Sequence, residues 1–554
     1  MKRLTLYILM AASAVSAFAA KDNRPNIILF LTDDQTRNST GVYGNTQVKT
    51  PNMDKLANNG AIFANNYATT TICMASRASI FTGMYEYKTG CNFDKGALYE
   101  SKWKKSYPML LREAGYFTGM GGKVGVDIYD EANKVKYKGD KAIAKDDFDF
   151  FVGGTGQTEY ETAKNKHLAK YAKEYPHSTR AYAAAIADFI KEAKASGKPF
   201  CFSMSFKAPH TPMKPDPMFN DVYKDTVWQR PANSGRESAT HLSTQAKLGR
   251  QYLEYANAYF KDVNFQRSQT QYHQLIHGVD YAIGMVMETL EKEGVADNTI
   301  LILTSDNGYS CSAHGMGGKV LAYEESAKTP LIIYDPRIKK ANKPKDIWRT
   351  GVSANIDIAP TILDYAGVKI PENMDGKSLK KVVENPKEKV RKELALYQLW
   401  GSFPTVSLAI VTEDFKYIYY PYAERIDPAE ELYNLKKDAL EMTNVISDPE
   451  YKSTLRDMQA HYETHFQKYK KENVARDSYE TFPVIFDKNI SWDEKKKHIH
   501  KLFENGAYGY ENMLYRMNYD GDIYDYDAVI EYSRKRLSGE IKVQNRSMTD
   551  KKKK

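Results

Sequence analysis

Asn26-Ile27-Ile28-Leu29-Phe30-Leu31-Thr32-Asp33-Asp34 is an apolar run that stops on two carboxylates. It reads as a β-strand delivering reactive groups at its carboxyl end. Three further stretches repeat the pattern: 116–120 runs toward Lys123, 200–206 toward His210, and 299–304 into Asp306-Asn307. Helical patterns lie between them, over 52–60, 178–196, 271–293 and 357–367. Strands alternating with helices predict an α/β fold built on an open sheet. In such sheets ligands bind beyond the carboxyl ends of the strands, so residues remote in sequence converge in one crevice.

The chain has 554 residues, enough for one large domain and a smaller one. Met1-Lys2-Arg3, an apolar stretch over 4–15 and Ala17-Phe18-Ala19 read as a secretory signal peptide over 1–19, which predicts a periplasmic or secreted protein. No cysteine stands at the cleavage site and no later run could span a bilayer, so no membrane anchor is expected. The net charge is +9, much of it in Lys551 to Lys554 and in patches such as 495–497. That balance suits a polyanionic substrate by steering, although the tail itself reads as solvated surface. No aromatic-basic nucleic-acid module is present. The four cysteines, Cys73, Cys91, Cys201 and Cys311, are too few for a disulfide scaffold, with a Cys91–Cys311 pair left open.

Cys73-Met74-Ala75-Ser76-Arg77 continues into Ala78-Ser79-Ile80-Phe81-Thr82-Gly83. A helix over 73–82 closed by Gly83 puts Cys73 and Arg77 on one face at its positive end, which suits a tetrahedral oxyanion. Asp33, Asp34, Asp306 and Asn307 are hard oxygen donors matched to Ca²⁺ or Mg²⁺. The first strand placed beside the late one would bring all four together.

These residues resemble the type I sulfatases, whose Cys-x-(Pro/Ala)-Ser-Arg cysteine is oxidised to formylglycine. Thr304-Ser305-Asp306-Asn307-Gly308 and Glu431-Leu432-Tyr433-Asn434-Leu435 resemble the same family, and the likeness runs from about residue 24 to 444. It implies an alkaline-phosphatase-like sandwich, a large mixed, mostly parallel sheet between helices, with a smaller carboxyl-terminal α+β subdomain. The expected organisation is a catalytic domain over 22–385, a subdomain over 386–470 and an extension of unknown role over 471–554. Polar inserts at 134–147 and 222–264 are expected as surface excursions walling a cleft.

The resemblance further implies a cycle in which formylglycine from Cys73 is the nucleophile toward sulfur. A divalent cation, usually Ca²⁺, is held by Asp33, Asp34, Asp306, Asn307 and the modified Cys73. Arg77, Lys123 and Lys319 neutralise sulfate oxygens, and His210 protonates the leaving oxygen. His314 contacts substrate or orders its loop. A separate formylglycine-generating enzyme is required, because a thiol has no second oxygen with which to expel sulfate. One feature departs from the family: where many relatives read Gly-Lys-Trp-His, this chain reads Gly122-Lys123-Val124-Gly125-Val126-Asp127. His314 and Asp127 are the nearest substitutes. The expected activity is hydrolysis of sulfate esters on glycans. The competing readings are an arylsulfatase, a phosphate or phosphonate ester hydrolase on the same scaffold, and a sulfated-glycan-binding protein without turnover.

Overall fold

The computed structural model describes residues 22–542 apart from 94–95, 138–146, 155, 254, 256–258, 339–346, 477, 504–517, 523–524 and 539. The signal segment 1–19, most of the insert at 134–147 and the terminal lysines lie outside the described residues. Eight strands form the main sheet: β1 (Asn26–Asp33), β2 (Ala61–Tyr67), β3 (Phe117–Lys123), β4 (Phe150–Gly154), β5 (Phe200–Pro209), β6 (Thr299–Ser305), β7 (Leu331–Tyr334) and β8 (Trp348–Ala354). Their spatial order is β8-β2-β7-β6-β1-β5-β3-β4, and only β7 runs antiparallel to its neighbours.

Every residue of β1 is buried, which is why its sequence is a continuous apolar run without alternation. Ile27, Leu29 and Leu31 enter one core, while Ile28 and Phe30 enter the core on the opposite face. Helices α1 (Pro51–Asn59), α3 (Ser178–Ser196) and α4 (Phe265–Lys292) cover that second face. The first face is covered by α2 (Cys73–Thr82) and α5 (Ile358–Tyr365). Each fully buried Leu, Ile or Phe contributes about 1.5–3 kcal/mol of transfer free energy.

Helix α2 keeps its expected bounds, closed by Gly83 at φ 66. Helix α4 starts at Phe265, six residues ahead of the expected 271, because Phe265 anchors its polar first turn against Tyr223 and Trp228. The turn Asn355–Asp357 takes the place of the expected start of α5, with the Asp357 carboxylate accepting from Ala354 N at 2.8 Å.

A second, antiparallel sheet follows in the order β9 (Leu394–Gln398), β10 (Ser407–Val411), β11 (Phe415–Tyr420) and β12 (Ala429–Asn434). Helix α6 (Lys452–Glu472) buries Met458, Tyr462, Phe466 and Tyr469 against it, a stripe at helical spacing. The chain then returns to the main body. Val474 N donates to Tyr87 O at 2.9 Å, Arg476 Nη2 to the carbonyls of Thr89 and Ala97 at 3.1 Å, and the Tyr479 hydroxyl to Glu86 Oε1 at 2.9 Å.

One expectation is corrected in part. Much of 222–232 lies at the surface as expected, but Leu242, Ala246, Leu248 and Leu253 of the same insert are buried in the core shared with the second sheet, and Gln245 Nε2 donates to Tyr422 O at 2.7 Å. All four cysteines are free. Cys91 lies in the core on one face of the sheet and Cys311 packs against the core on the other, so the sheet separates them. Among the described residues no helix is long and apolar enough to cross a membrane.

Candidate active site

Strands β6, β1, β5 and β3 are consecutive neighbours, so their carboxyl ends place Asp306, Asp33, His210 and Lys123 along one edge. The ladder between β1 and β5 shifts register after Leu31 and sets Asp33 opposite Pro209. Asp34 follows at φ 68, a left-handed conformation that aspartate tolerates. Its backbone N–H donates to Asp306 Oδ1 at 3.2 Å, which ties the two strand ends together.

Cys73 is the first residue of α2 and is 2% exposed. The helix docks through its own first turns. Ser76 Oγ donates to the Asp306 carbonyl at 2.5 Å, Asn355 Nδ2 donates to Ser76 Oγ at 2.9 Å, and Arg77 Nε donates to Asp306 Oδ2 at 2.8 Å. Arg77 Nη1 donates to the Lys123 carbonyl at 2.6 Å. As a result Cys73 Sγ and carboxylate oxygens of Asp33 and Asp306 lie within 4.8 Å of one another, as do ligand atoms of Asp33, Asp34 and His210.

Two lysines pair with the acids. Lys123 Nζ is 2.5 Å from Asp33 Oδ2 and Lys319 Nζ is 2.5 Å from Asp34 Oδ1, which also accepts from Asn307 Nδ2 at 2.7 Å. Burial pushes the Asp33 carboxyl up, but the surrounding charges of Lys123, His210, Arg77 and Lys319 outweigh it and hold it well below the usual range. Asp306 goes the other way: burial and then the Asp33 charge raise it to about 6, against the pull of Arg77. Burial opposes the charge on Lys319, yet the surrounding groups, Asp34 foremost, keep its ammonium well above the ordinary lysine range. His210 is lowered by burial, partly offset by Asp33 and Asp34. Its Nδ1 donates to the Thr211 carbonyl, and its Nε2 stands 3.7 Å from Asp34 Oδ2.

The donor set fits a hard divalent cation. Asp33 Oδ1 and Asn307 Oδ1 are buried without a hydrogen-bond partner, and both belong to the oxygen-rich group beside Cys73.

Asp33, Asp34, Cys73, Arg77, Lys123, His210, Asp306, Asn307 and Lys319 are thus brought together. His314 belongs to a separate cluster: it is 1% exposed, its Nε2 is 3.6 Å from Glu325 Oε2, and its ring meets His241 edge to face and Tyr323 at a tilt. Asp127 is bound to Lys136 at 3.0 Å. The place of the histidine absent after Lys123 is held by Gly125 at φ 72, where a Cβ would lie 2.6 Å from Arg77 Cδ. Sequence reading missed Lys207 and Tyr160. The Lys207 ammonium lies 4.9 Å from the centre of the Tyr160 ring, and the Tyr160 hydroxyl donates to the His210 carbonyl at 2.7 Å, bracing that residue. Lys207 stands three residues before His210 in a strand that ends at the site, and that position was the available signal.

Comparison with known proteins agrees with this geometry. The sulfatase family model matches residues 25–368, and the model for the N-sulphoglucosamine sulphohydrolase C-terminal region matches 312–468. An N-acetylglucosamine-6-O-sulfatase of Bacteroides thetaiotaomicron is 30% identical over 84% of this chain and 90% of its own length. An arylsulfatase of Clostridium perfringens is 28% identical over 78% of this chain and 92% of its own. A solved protein in complex with its substrate D-glucosamine-2-N,6-O-disulfate superposes with a TM-score of 0.66 at 28% identity, over 82% of this chain and 99% of that one. The chain belongs to the sulfatase family, with the alkaline-phosphatase-like fold, and is a hydrolase of sulfate esters.

Proposed function

We propose that this sulfatase removes sulfate from sulfated glycans. In this reading Cys73 is converted to formylglycine by a separate maturing enzyme, and Ca²⁺ or Mg²⁺ is held by Asp33, Asp34, Asp306 and Asn307. The observation that carries it is the set of Cys73 Sγ and oxygens of Asp33 and Asp306 within 4.8 Å, flanked by the ammonium groups of Lys123 and Lys319. The hydrated aldehyde supplies an oxygen nucleophile, and the cation, when bound, supplies Lewis-acid polarisation of a sulfate oxygen.

The chain's own residues do the rest. Lys123 and Lys319 bind the sulfate and stabilise charge on its oxygens, from positions fixed before substrate arrives. Arg77 is fully buried and engaged with Asp306 and the Lys123 carbonyl, so it orients α2 and the acids. With Nδ1 donating to Thr211, Nε2 is the His210 atom left to exchange a proton; it gives one to the leaving alcohol from the imidazolium form, whose charge Asp33 and Asp34 favour against burial.

The glycan reading is supported by the relative named for N-acetylglucosamine-6-O-sulfate and by the neighbour solved with a sulfated glucosamine. The signal-like segment over 1–19 supports export to the periplasm or the medium. The test has two stages. The tryptic peptide spanning 56–77, from cells expressing a formylglycine-generating enzyme, should carry the aldehyde or its hydrate at Cys73. Sulfate release is then compared on sulfated N-acetylglucosamine, an aryl sulfate and a matched phosphate ester. Turnover of the aryl ester alone overturns the glycan reading, and preference for the phosphate overturns the sulfate reading. Persistent cysteine, while a control sulfatase matures in the same cells, overturns the mechanism and leaves a glycan-binding protein.

A further inference from the structure

The loop from Asp306 to Tyr323 carries Lys319 into the site, and Val320 next to it sits at φ 82. A β-branched side chain seldom adopts that conformation, and the surrounding contacts must hold it there. Val320 forms a small cluster with Ile72 and Ala75, which flank Cys73, and Trp400 packs against the three. Trp400 comes from the second sheet. It follows β9, whose Gln398 Oε1 accepts from the Thr71 hydroxyl at 2.7 Å, and it precedes Gly401 at φ 104, where a Cβ would stand 3.3 Å from Val320 Cγ1. Trp400 is half-buried and meets Phe93 edge to face, with ring centres 6.3 Å apart. Phe93 is 41% exposed.

An indole and a phenyl ring, one held against the residues beside the nucleophile and the other open to solvent, form an apolar wall at the mouth of a strongly charged pocket. Sulfate has no use for such a wall, since its oxygens are met by Lys123 and Lys319. The group attached to the sulfate must lie outside that charged pocket, and a pyranose ring offers a face of C–H groups that stacks on an aromatic surface. We propose that Trp400 and Phe93 are specificity-determining residues that receive the sugar ring bearing the sulfate ester. This rests on the glycan reading above.

The test compares matured wild type, Trp400→Ala, Trp400→Phe and Phe93→Ala on N-acetylglucosamine 6-sulfate and on propyl sulfate, an acyclic ester of a primary alcohol. Trp400→Ala should lose about tenfold in kcat/KM on the sugar, mainly through KM, while propyl sulfate stays within about twofold. Trp400→Phe should recover most of that loss. Phe93→Ala, at an exposed position where folding is not at risk, should show a smaller loss of the same kind. Equal losses on both esters mean that the indole merely supports Val320 and Lys319, and they overturn the proposal. Unchanged sugar kinetics in both alanine variants overturn it as well. Failure of the glycan reading looks different, because wild type itself then releases no sulfate from the sugar, and the wall falls with that reading.

Discussion

Arg77 Cδ lies 2.6 Å from where a methyl group on Gly125 would be, so the loop after Lys123 and the guanidinium that holds Asp306 are fitted to each other. The position at which relatives carry a histidine is therefore closed to any side chain unless Arg77 moves. This leaves His210 as the imidazole among the residues brought together at Cys73.

Gly125→Ala should cost about 2–5 kcal/mol in urea unfolding, from the left-handed backbone and the overpacked contact together. Turnover should fall by about a hundredfold as Arg77 is displaced. Gly125→His should be no faster than Gly125→Ala. A histidine variant that outperforms wild type would show that Arg77 can give way without loss.

Metal-stripped protein titrated with Ca²⁺ in a calorimeter should bind one equivalent, and the thermal midpoint should rise with cation concentration. Asp306→Asn keeps the side-chain shape but removes the carboxylate charge, so the variant should bind the cation at least tenfold more weakly. An unchanged titration in that variant would remove Asp306 from the ligand set.

Asp280, remote from the site, accepts from Met53 N at 2.7 Å and from Asn52 Nδ2 at 3.0 Å. Burial raises it from 3.8 to about 6 despite those hydrogen bonds. The folded state thus binds the extra proton between these values, so the contribution to stability is full below about pH 4 and is lost as pH rises through 6. Measured against Asp280→Asn by urea unfolding, wild type should lose about 3 kcal/mol of relative stability between pH 4 and 7.5. A flat difference across that range would mean the carboxyl titrates normally.

Lys416 is fully buried between Glu324 Oε1 and Glu441 Oε1, each at 2.8 Å. Lys416→Met leaves the buried Glu441 without its cation and Glu324 with Lys328 alone, at 2.7 Å, and should cost about 3–5 kcal/mol. Because burial already raises Glu441 to about 7, adding Glu441→Gln should recover part of the loss. Strictly additive losses would argue against a coupled pair.

The strand ends were legible because their signal is local: an apolar run over 26–31 stopping on Asp33-Asp34, and another stopping on Asp306-Asn307. The bounds of α2 were legible for the same reason, through Gly83. What could not be read depends on partners far along the chain. The polar first turns of α4 are helical because Phe265 finds Tyr223 and Trp228, and the stretch 239–253 of the insert is buried because the second sheet covers it. For His314 the motif left two roles open, substrate contact or ordering of its loop, and its neighbours Glu325 and Asn233 fit the second. No spacing rule announces that Gly125 must make room for Arg77.

The return of the chain at Arg476 sets an order of events. Arg476 reaches the carbonyl of Thr89, 387 residues earlier, and its guanidinium lies 3.6 Å from the centre of the Tyr99 ring. Cys73 is 2% exposed once α2 is packed, so any enzyme that oxidises it must reach it before that packing is complete. At roughly 5–20 residues per second, the ribosome takes about 20–80 s to get from Cys73 to Arg476, which ties down the 89–99 stretch that follows α2. If Cys73 is converted as proposed, translation thus leaves an interval in which it can be reached before the returning chain completes the fold around it.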